Sequence, residues 1–244
     1  MARKVRLDLL LVQRGMAASR QRARAMIESG TVLVDGVPAA KVATQVDVER
    51  TVTLAAEDHP WVGRGALKLL GVLQPFGIDP TGCVAADLGS STGGFTEVLL
   101  HHGATRVYAV DVGKGLLHWK LRNDDRVVLM EGVNARHLEA LPEPVDLIVG
   151  DLSFISIELI LPTVHRLLRD GGTGAILVKP QFEVGRAALG SKGRVRDEEA
   201  RTRAIAEVRA SALRLGFEVL GSMDSPLPGA KSGNVEHFLH IHKP

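Results

Sequence analysis

The chain has 244 residues, 45% hydrophobic and 24% charged, with a formal charge of +2, a composition that excludes a disordered or fibrous protein. No apolar run reaches the ~18 residues that span a bilayer, and the basic start Met1-Ala2-Arg3-Lys4 leads into no signal-peptide core. A single cysteine, Cys83, excludes an intrachain disulfide and suits the reducing cytoplasm.

The charge is uneven. Residues 1–30 hold Arg3, Lys4, Arg6, Arg14, Arg20, Arg22 and Arg24 against Asp8 and Glu28, so the remainder is slightly negative. A basic front end on a near-neutral body predicts a patch for a polyanion. Val5 to Arg14 predicts an amphipathic helix ended by Gly15. Ser19 suits the N-cap of a second helix, Arg20 to Ser29, with Ala23, Met26 and Ile27 inward and Arg20 and Arg24 one turn apart outside. Thr31 to Val34 predicts a strand, Asp35-Gly36 a hairpin turn, and Val46 to Leu54 further short strands. The run Glu57-Asp58-His59-Pro60-Trp61-Val62 breaks the pattern, because proline holds its neighbourhood extended. The expected division is 1–58, a linker 59–62 with Trp61 as a packing anchor, and 63–244.

The body begins with a helix, Arg64 to Leu73, with Leu67, Leu70 and Leu73 on one face and Lys68 on another. Cys83 to Ala86 predicts a buried strand in which the thiol is inert. Asp87-Leu88-Gly89-Ser90-Ser91-Thr92-Gly93-Gly94-Phe95-Thr96 is a glycine-rich turn, and Glu97 to Leu100 starts a helix. Strand, glycine-rich turn and helix together bring backbone amides against a ligand. The spacing is neither the dinucleotide fingerprint nor a phosphate loop, which argues against a nucleoside triphosphate. Strands then end at Asp111, near Glu131, at Asp151 and at Lys179-Pro180, with helical runs around 115–121, 155–169 and 197–215. That alternation predicts a parallel sheet covered on both faces. Phe217 to Met223 and Glu236 to His242, with no helix between them, predict an antiparallel pair at one edge. The fold class is α/β, a mostly parallel sheet with an antiparallel edge strand, preceded by a small α+β module.

Ligands in such sheets bind beyond the carboxyl ends of the strands. Asp111 lies 22 residues after Gly89, where an acid that grips a ribose hydroxyl pair is expected, so the cofactor is one that carries adenosine with free ribose hydroxyls. Among the histidines, His101 and His102 are expected in solvent. His240 and His242 share a strand face without a third ligand, and no metal is predicted.

Two resemblances sharpen this reading. Arg6-Leu7-Asp8-Leu9-Leu10, Ser19-Arg20-Gln21-Arg22-Ala23 and Ile27 to Gly36 resemble the S-four-type RNA-binding module. That likeness implies phosphate contacts from Arg6, Arg20, Arg22, Arg24 and Lys41 to structured RNA. Nearly the whole chain resembles the haemolysin-A or TlyA family of ribosomal RNA 2′-O-methyltransferases, whose catalytic domain is FtsJ-like. The matching blocks include Arg64-Gly65-Ala66-Leu67-Lys68-Leu69, Ser91 to Glu97, Ala109 to Gly113, Asn134-Ala135-Arg136, Asp151 to Ser156, Val178 to Gly185, and Ser225 to Glu236. The chain stops soon after its last strand, where some members continue through a further helix.

The resemblance implies a Rossmann-like sheet that binds S-adenosylmethionine. Its cofactor set is Asp87, Gly89, Ser90, Ser91, Gly93, Gly94, Phe95, Asp111, Val112, Asn134, Asp151 and Leu152, and its catalytic set is Lys68, Asp151, Lys179 and Glu236. In this reading Lys179 takes the proton of a ribose 2′-hydroxyl, Lys68 is the cation beside it, Asp151 orients Lys179, and Glu236 orients Lys68. Arg64 belongs to the RNA-binding set. So do Arg194 and Arg196, on a basic loop from Gly185 to Glu199 with Arg186 and Lys192, which is expected to close on RNA. The partners implied are ribosomal RNA or ribosomal subunits, with cytidine as the target. Rival readings are an RNA-binding assembly factor with a non-catalytic cofactor site, a membrane-active haemolysin, and a small-molecule methyltransferase.

Overall fold

The computed structural model describes residues 4–28, 30–39, 41–54, 59–185, 188–190, 193–230 and 233–244. The chain divides into two compact units, Met1–Arg64 and Gly65–Pro244.

In the first unit the expected opening helix is shorter. Lys4–Arg6 forms strand β1, and helix α1 spans Leu7–Gln13. Val5 and Arg6 are drawn out of the helix because they pair with Val46 and Gln45 of β4, Gln45–Asp47. Helix α2, Arg20–Glu28, begins where Ser19 Oγ accepts the amide of Arg22. Its Ala23, Met26 and Ile27 join Leu7, Leu10 and Leu11 of α1 in one core. Strands β2 (Val32–Val34), β3 (Val37–Pro38) and β5 (Val52–Leu54) form a small antiparallel sheet in the order β3-β2-β5. The β2–β3 turn has positive φ at both Asp35 (50°) and Gly36 (77°), the twist that a two-residue hairpin requires.

The second unit is a seven-stranded sheet in the order β11-β12-β10-β9-β6-β7-β8. The strands are β6 (Val84–Leu88), β7 (Arg106–Asp111), β8 (Val127–Glu131), β9 (Val145–Gly150), β10 (Leu168–Val178), β11 (Glu218–Asp224) and β12 (His237–His242). β8, β7, β6, β9 and β10 run parallel, whereas β12 is antiparallel to both β10 and β11. The expected antiparallel pair, β11 and β12, forms one edge of the sheet. β12 is inserted between β10 and β11, and β11 is the edge. Phe238, Leu239 and Ile241 are fully buried, while alternate residues of β11 reach solvent; so apolar a run needs cover on both faces.

Helix α3 spans Gly65–Phe76 and buries Ala66, Lys68, Leu69, Val72 and Leu73 rather than the expected stripe through Leu67 and Leu70. The helix is turned this way because the Lys68 side chain enters the interior to meet two carboxylates. Cys83 is also displaced from its expected place. It precedes β6, is only half-buried, and directs its Sγ to the Asp79 carbonyl at 3.6 Å. Helix α4, Gly94–His101, follows the glycine-rich turn, and α5 is the short run Trp119–Arg122. Helix α6 covers only Leu161–Leu167 of the expected 155–169 helix, because a 3-10 turn at Ile157–Leu159 precedes it and β10 claims Leu168 and Arg169. A four-residue helix, α7 (Pro180–Glu183), comes directly after Lys179, and α8 (Glu198–Arg214) starts at an Asp197 side chain that accepts the Glu199 amide.

Candidate active site

Strand order reverses about β6, whose neighbours β7 and β9 lie on opposite sides, and the crevice beyond such a reversal is where a doubly wound sheet receives its ligand. The glycine-rich turn after β6 sits there. Gly89 (φ 85°) runs so close to the segment after β9 that an added Cβ would stand 3.0 Å from the Asp151 carbonyl oxygen and 3.3 Å from Leu152 Cα. Gly93 (φ 97°) caps α4, and a Cβ there would fall 2.2 Å from Leu121 Cδ1. Gly94 opens the helix. The Phe95 ring is 3% exposed and stacks on Phe238 with centroids 6.1 Å apart, so its side chain faces the core.

Two buried polar atoms of this turn have no hydrogen-bond partner among the described residues, Asp87 Oδ1 and Ser90 Oγ. Asp87 is 1% exposed, and its other oxygen accepts the Thr96 amide at 2.9 Å and the Thr96 hydroxyl at 2.7 Å. Burial pushes the Asp87 carboxyl up to about 7, against the opposing hydrogen bonds of Thr96. Unsatisfied buried groups are costly, so these atoms fit a ligand that supplies their partners. Asp111, at the end of β7, accepts the Ser91 amide on Oδ2 at 2.8 Å and the Gly113 amide on Oδ1 at 2.7 Å. Each oxygen keeps a second lone pair for a hydroxyl. Val112 beside it is 71% exposed. Asn134, near the end of β8, uses its side-chain oxygen to accept the Arg136 amide at 3.0 Å.

A second cluster gathers at the ends of β9 and β10. Lys68 Nζ lies 2.6 Å from Glu236 Oε2 and 3.3 Å from Asp151 Oδ2, and Lys179 Nζ lies 2.5 Å from Asp151 Oδ1. Lys68, Lys179 and Glu236 are 6%, 7% and 3% exposed, so none is an ordinary surface charge. Burial works against the Lys68 ammonium, but Asp151 and Glu236 outweigh it and hold its pKa above the usual lysine value. Burial likewise works against the Asp151 carboxylate, and the two lysines overcome it, so its pKa lies below the usual carboxylate range. The four catalytic candidates are thus brought into one chain of contacts. Asp151 bridges both lysines, which the sequence reading, with Asp151 serving Lys179 alone, did not include. Ser153 was also missed: its Oγ accepts from Lys179 Nζ at 2.8 Å. Its position two residues beyond Asp151 was the only signal for it.

The arginines expected to meet RNA are placed unevenly. In the first unit Arg6 and Arg20 both donate to the buried Asp8, whose carboxyl is held at about 2, chiefly by Arg6. Arg22 donates to the carbonyls of His59 and Trp61, so its guanidinium ties that segment to α2. Arg24 is largely exposed and pairs with Glu28 at 2.9 Å; Lys41 is exposed and Arg64 half-buried. In the second unit Arg194 and Arg196 are exposed. They flank Val195, which forms an isolated bridge with Leu189 and whose amide donates to the buried Asn234. Arg186 and Lys192 lie outside the described residues. His240 is buried, hydrogen-bonded to Thr173 and stacked on Phe76.

A sheet of this order, with a glycine cradle after its first strand and an acid after its second, defines the S-adenosylmethionine-dependent methyltransferases. Residues 61–243 match the model of the FtsJ-like methyltransferases and residues 5–52 that of the S4 domain. The chain belongs to the FtsJ-like methyltransferase family, with an S4 domain at its front. It is 49% identical to the 16S/23S rRNA (cytidine-2′-O)-methyltransferase TlyA of Mycobacterium tuberculosis, over 99% of this chain and 91% of that one. It is 36% identical to Hemolysin A of Brachyspira hyodysenteriae over 97% of this chain and 99% of that one. A Streptococcus thermophilus structure assigned to the hemolysins superposes with a TM-score of 0.77 at 39% identity, covering 100% of this chain and 90% of that one. No helix among the described residues is long and apolar enough to cross a membrane.

Proposed function

We propose that this protein methylates the 2′-oxygen of a cytidine ribose in ribosomal RNA, with S-adenosylmethionine as donor, in the cytoplasm. The observation that carries the reading is the buried Lys68–Glu236, Lys68–Asp151 and Lys179–Asp151 set beside the glycine cradle. The name of the Mycobacterium tuberculosis relative supports ribosomal RNA of both subunits as the substrate. The S4 match supports residues 1–58 as the RNA-holding module, joined through 59–62 to a catalytic domain 63–244.

S-adenosylmethionine supplies an electrophilic methyl on a sulfonium that leaves as a neutral thioether. Asp111 would take the ribose hydroxyls, with Val112 and Asn134 at the base. Asp87, Gly89, Ser90, Ser91, Gly93, Gly94 and the backbone at Phe95 would hold the methionine end, and Asp151 and Leu152 would close the other wall. The target 2′-hydroxyl must shed its proton as its oxygen gains the methyl. Lys68 faces two carboxylates and keeps its proton. Lys179 faces one carboxylate oxygen and a neutral hydroxyl, and this asymmetry supports Lys179 rather than Lys68 as the neutral amine that accepts the proton. The arrangement also positions the hydroxyl, a contribution that does not depend on proton transfer.

The test is incubation with labelled S-adenosylmethionine and each ribosomal subunit, followed by mapping of 2′-O-methyl groups. Label on a cytidine ribose is expected. Cofactor binding with no label in either subunit or in free ribosomal RNA would overturn the reading. Lys179→Ala should lower transfer by at least about a hundredfold while leaving cofactor affinity intact; unchanged transfer would remove Lys179 from the mechanism.

A further inference from the structure

We infer that Glu183 is a positioning residue for this reaction, a latch that fixes the segment after β9 against Lys179. The inference rests on the methyl-transfer reading above. Two segments meet here, Asp151–Ile157 after β9 and Lys179–Glu183 after β10, and they are joined in register. Lys179 contacts Asp151 at 2.5 Å and Ser153 at 2.8 Å. The Phe182 ring lies 5.2 Å from that of Phe154. Glu183 then closes the far end, with Oε2 accepting the Ser156 hydroxyl at 2.6 Å and Oε1 accepting the Ile157 amide at 2.9 Å.

Between these anchors the backbone is strained. Phe154 has a φ of 66° and is 86% exposed. A bulky residue in that region is strained and persists only where its surroundings over-determine it. The ring contact alone is a weak restraint on so exposed a side chain, so the segment depends on its two polar ends. One end is Lys179 itself. The other is Glu183.

A simpler role, capping the 3-10 turn at Ile157–Leu159, does not account for the geometry. Ser156 Oγ already caps that turn by accepting the Glu158 amide at 3.2 Å. Glu183 adds an anchor from a different strand connection, four residues after Lys179. It is half-buried, and burial raises its pKa against the opposing bonds of Ser156 and Ile157. A carboxyl kept in such a place is held by what it binds. Its loss removes the polar anchor at Ser156 and Ile157, so the strained turn at Phe154 relaxes and Ser153 shifts against the Lys179 amino group that it orients.

The test uses four full-length variants and separates positioning from folding. Glu183→Ala is expected to lower kcat about tenfold or more, with S-adenosylmethionine Kd within about twofold of the parent, because among the described residues Glu183 bonds Ser156 and Ile157 alone. The Ile157 amide should lose hydrogen-exchange protection in the same variant. Glu183→Gln should restore activity to within about threefold, since its carbonyl can accept the Ile157 amide while its NH2 donates to the Ser156 hydroxyl. Ser156→Ala alone should stay close to the parent. Combined with Glu183→Gln it strands the amide NH2 and should fall to the Glu183→Ala level. Full kcat in Glu183→Ala, a loss of kcat matched by loss of cofactor binding, or no rescue by Glu183→Gln would overturn the latch. A parent protein with no transfer to ribosomal RNA would instead overturn the methyl-transfer reading, and the positioning role with it.

Discussion

Asp87 is the residue whose chemistry reaches furthest beyond its contacts. Its carboxyl titrates near 7 in the fold against about 4 for an unfolded aspartate. Between those values the folded chain holds a proton that the unfolded chain has released. Its contribution to stability therefore declines as pH rises from about 4 to about 7, by up to roughly 4 kcal/mol. Above pH 7 the fold carries a buried carboxylate with one oxygen unmatched, ready for a cationic group such as the ammonium of the methionine end. Cofactor affinity should consequently weaken as pH falls from 8 to 6, approaching tenfold per unit below 7. In Asp87→Asn the affinity should be lower and nearly flat with pH. Titration calorimetry of both proteins decides this, and equal slopes would remove Asp87 from the cofactor site. Lys68 teaches the complementary lesson. A helical periodicity counts apolar residues, so a lysine turned into the core is invisible until its partners, 83 and 168 residues away, are known.

At the scale of elements, the alternating run of strands and helices was legible because each strand is a short apolar block ended by a polar residue at the site. Asp111, Asp151 and Lys179 each stand at or just beyond a strand end, as read from sequence. Two things were not legible. The boundaries of β1 and β10 are set by pairing with distant strands, which overrides the helical pattern of Val5–Arg6 and of the residues after Leu167. The antiparallel pair at the edge was legible, but not which of its strands lies inside: local alternation shows that a strand exists but not which two strands flank it. That placement has a measurable consequence. Phe238 is fully buried opposite Leu177 on one side and Met223 on the other. Phe238→Ala should cost about 3–5 kcal/mol in urea unfolding, whereas Leu220→Ala on the rim strand, 57% exposed, should stay within about 0.5 kcal/mol. Near-equal losses would contradict the interior placement.

For the whole molecule, charge is divided between structural and available cations. Reversing Arg20 would set a new carboxylate beside the buried Asp8 and damage the first unit, so it is a poor probe of RNA contact. Arg24, Arg194 and Arg196 are the informative ones, being exposed. Arg24→Ala together with Arg194→Glu and Arg196→Glu should weaken ribosomal RNA binding and flatten its dependence on log salt by about 2 or more; an unaltered slope would place the RNA elsewhere. Finally, the position of β12 orders events during translation. It is made after every other strand of its sheet, yet it lies inside that sheet, with Glu236 just before it. While the chain is still being synthesised, β10 and β11 have no common neighbour and Lys68 has no Glu236 to meet. The site is completed only when the residues through His242 have cleared the ribosome, so a chain that has not yet placed β12 carries an unfinished site.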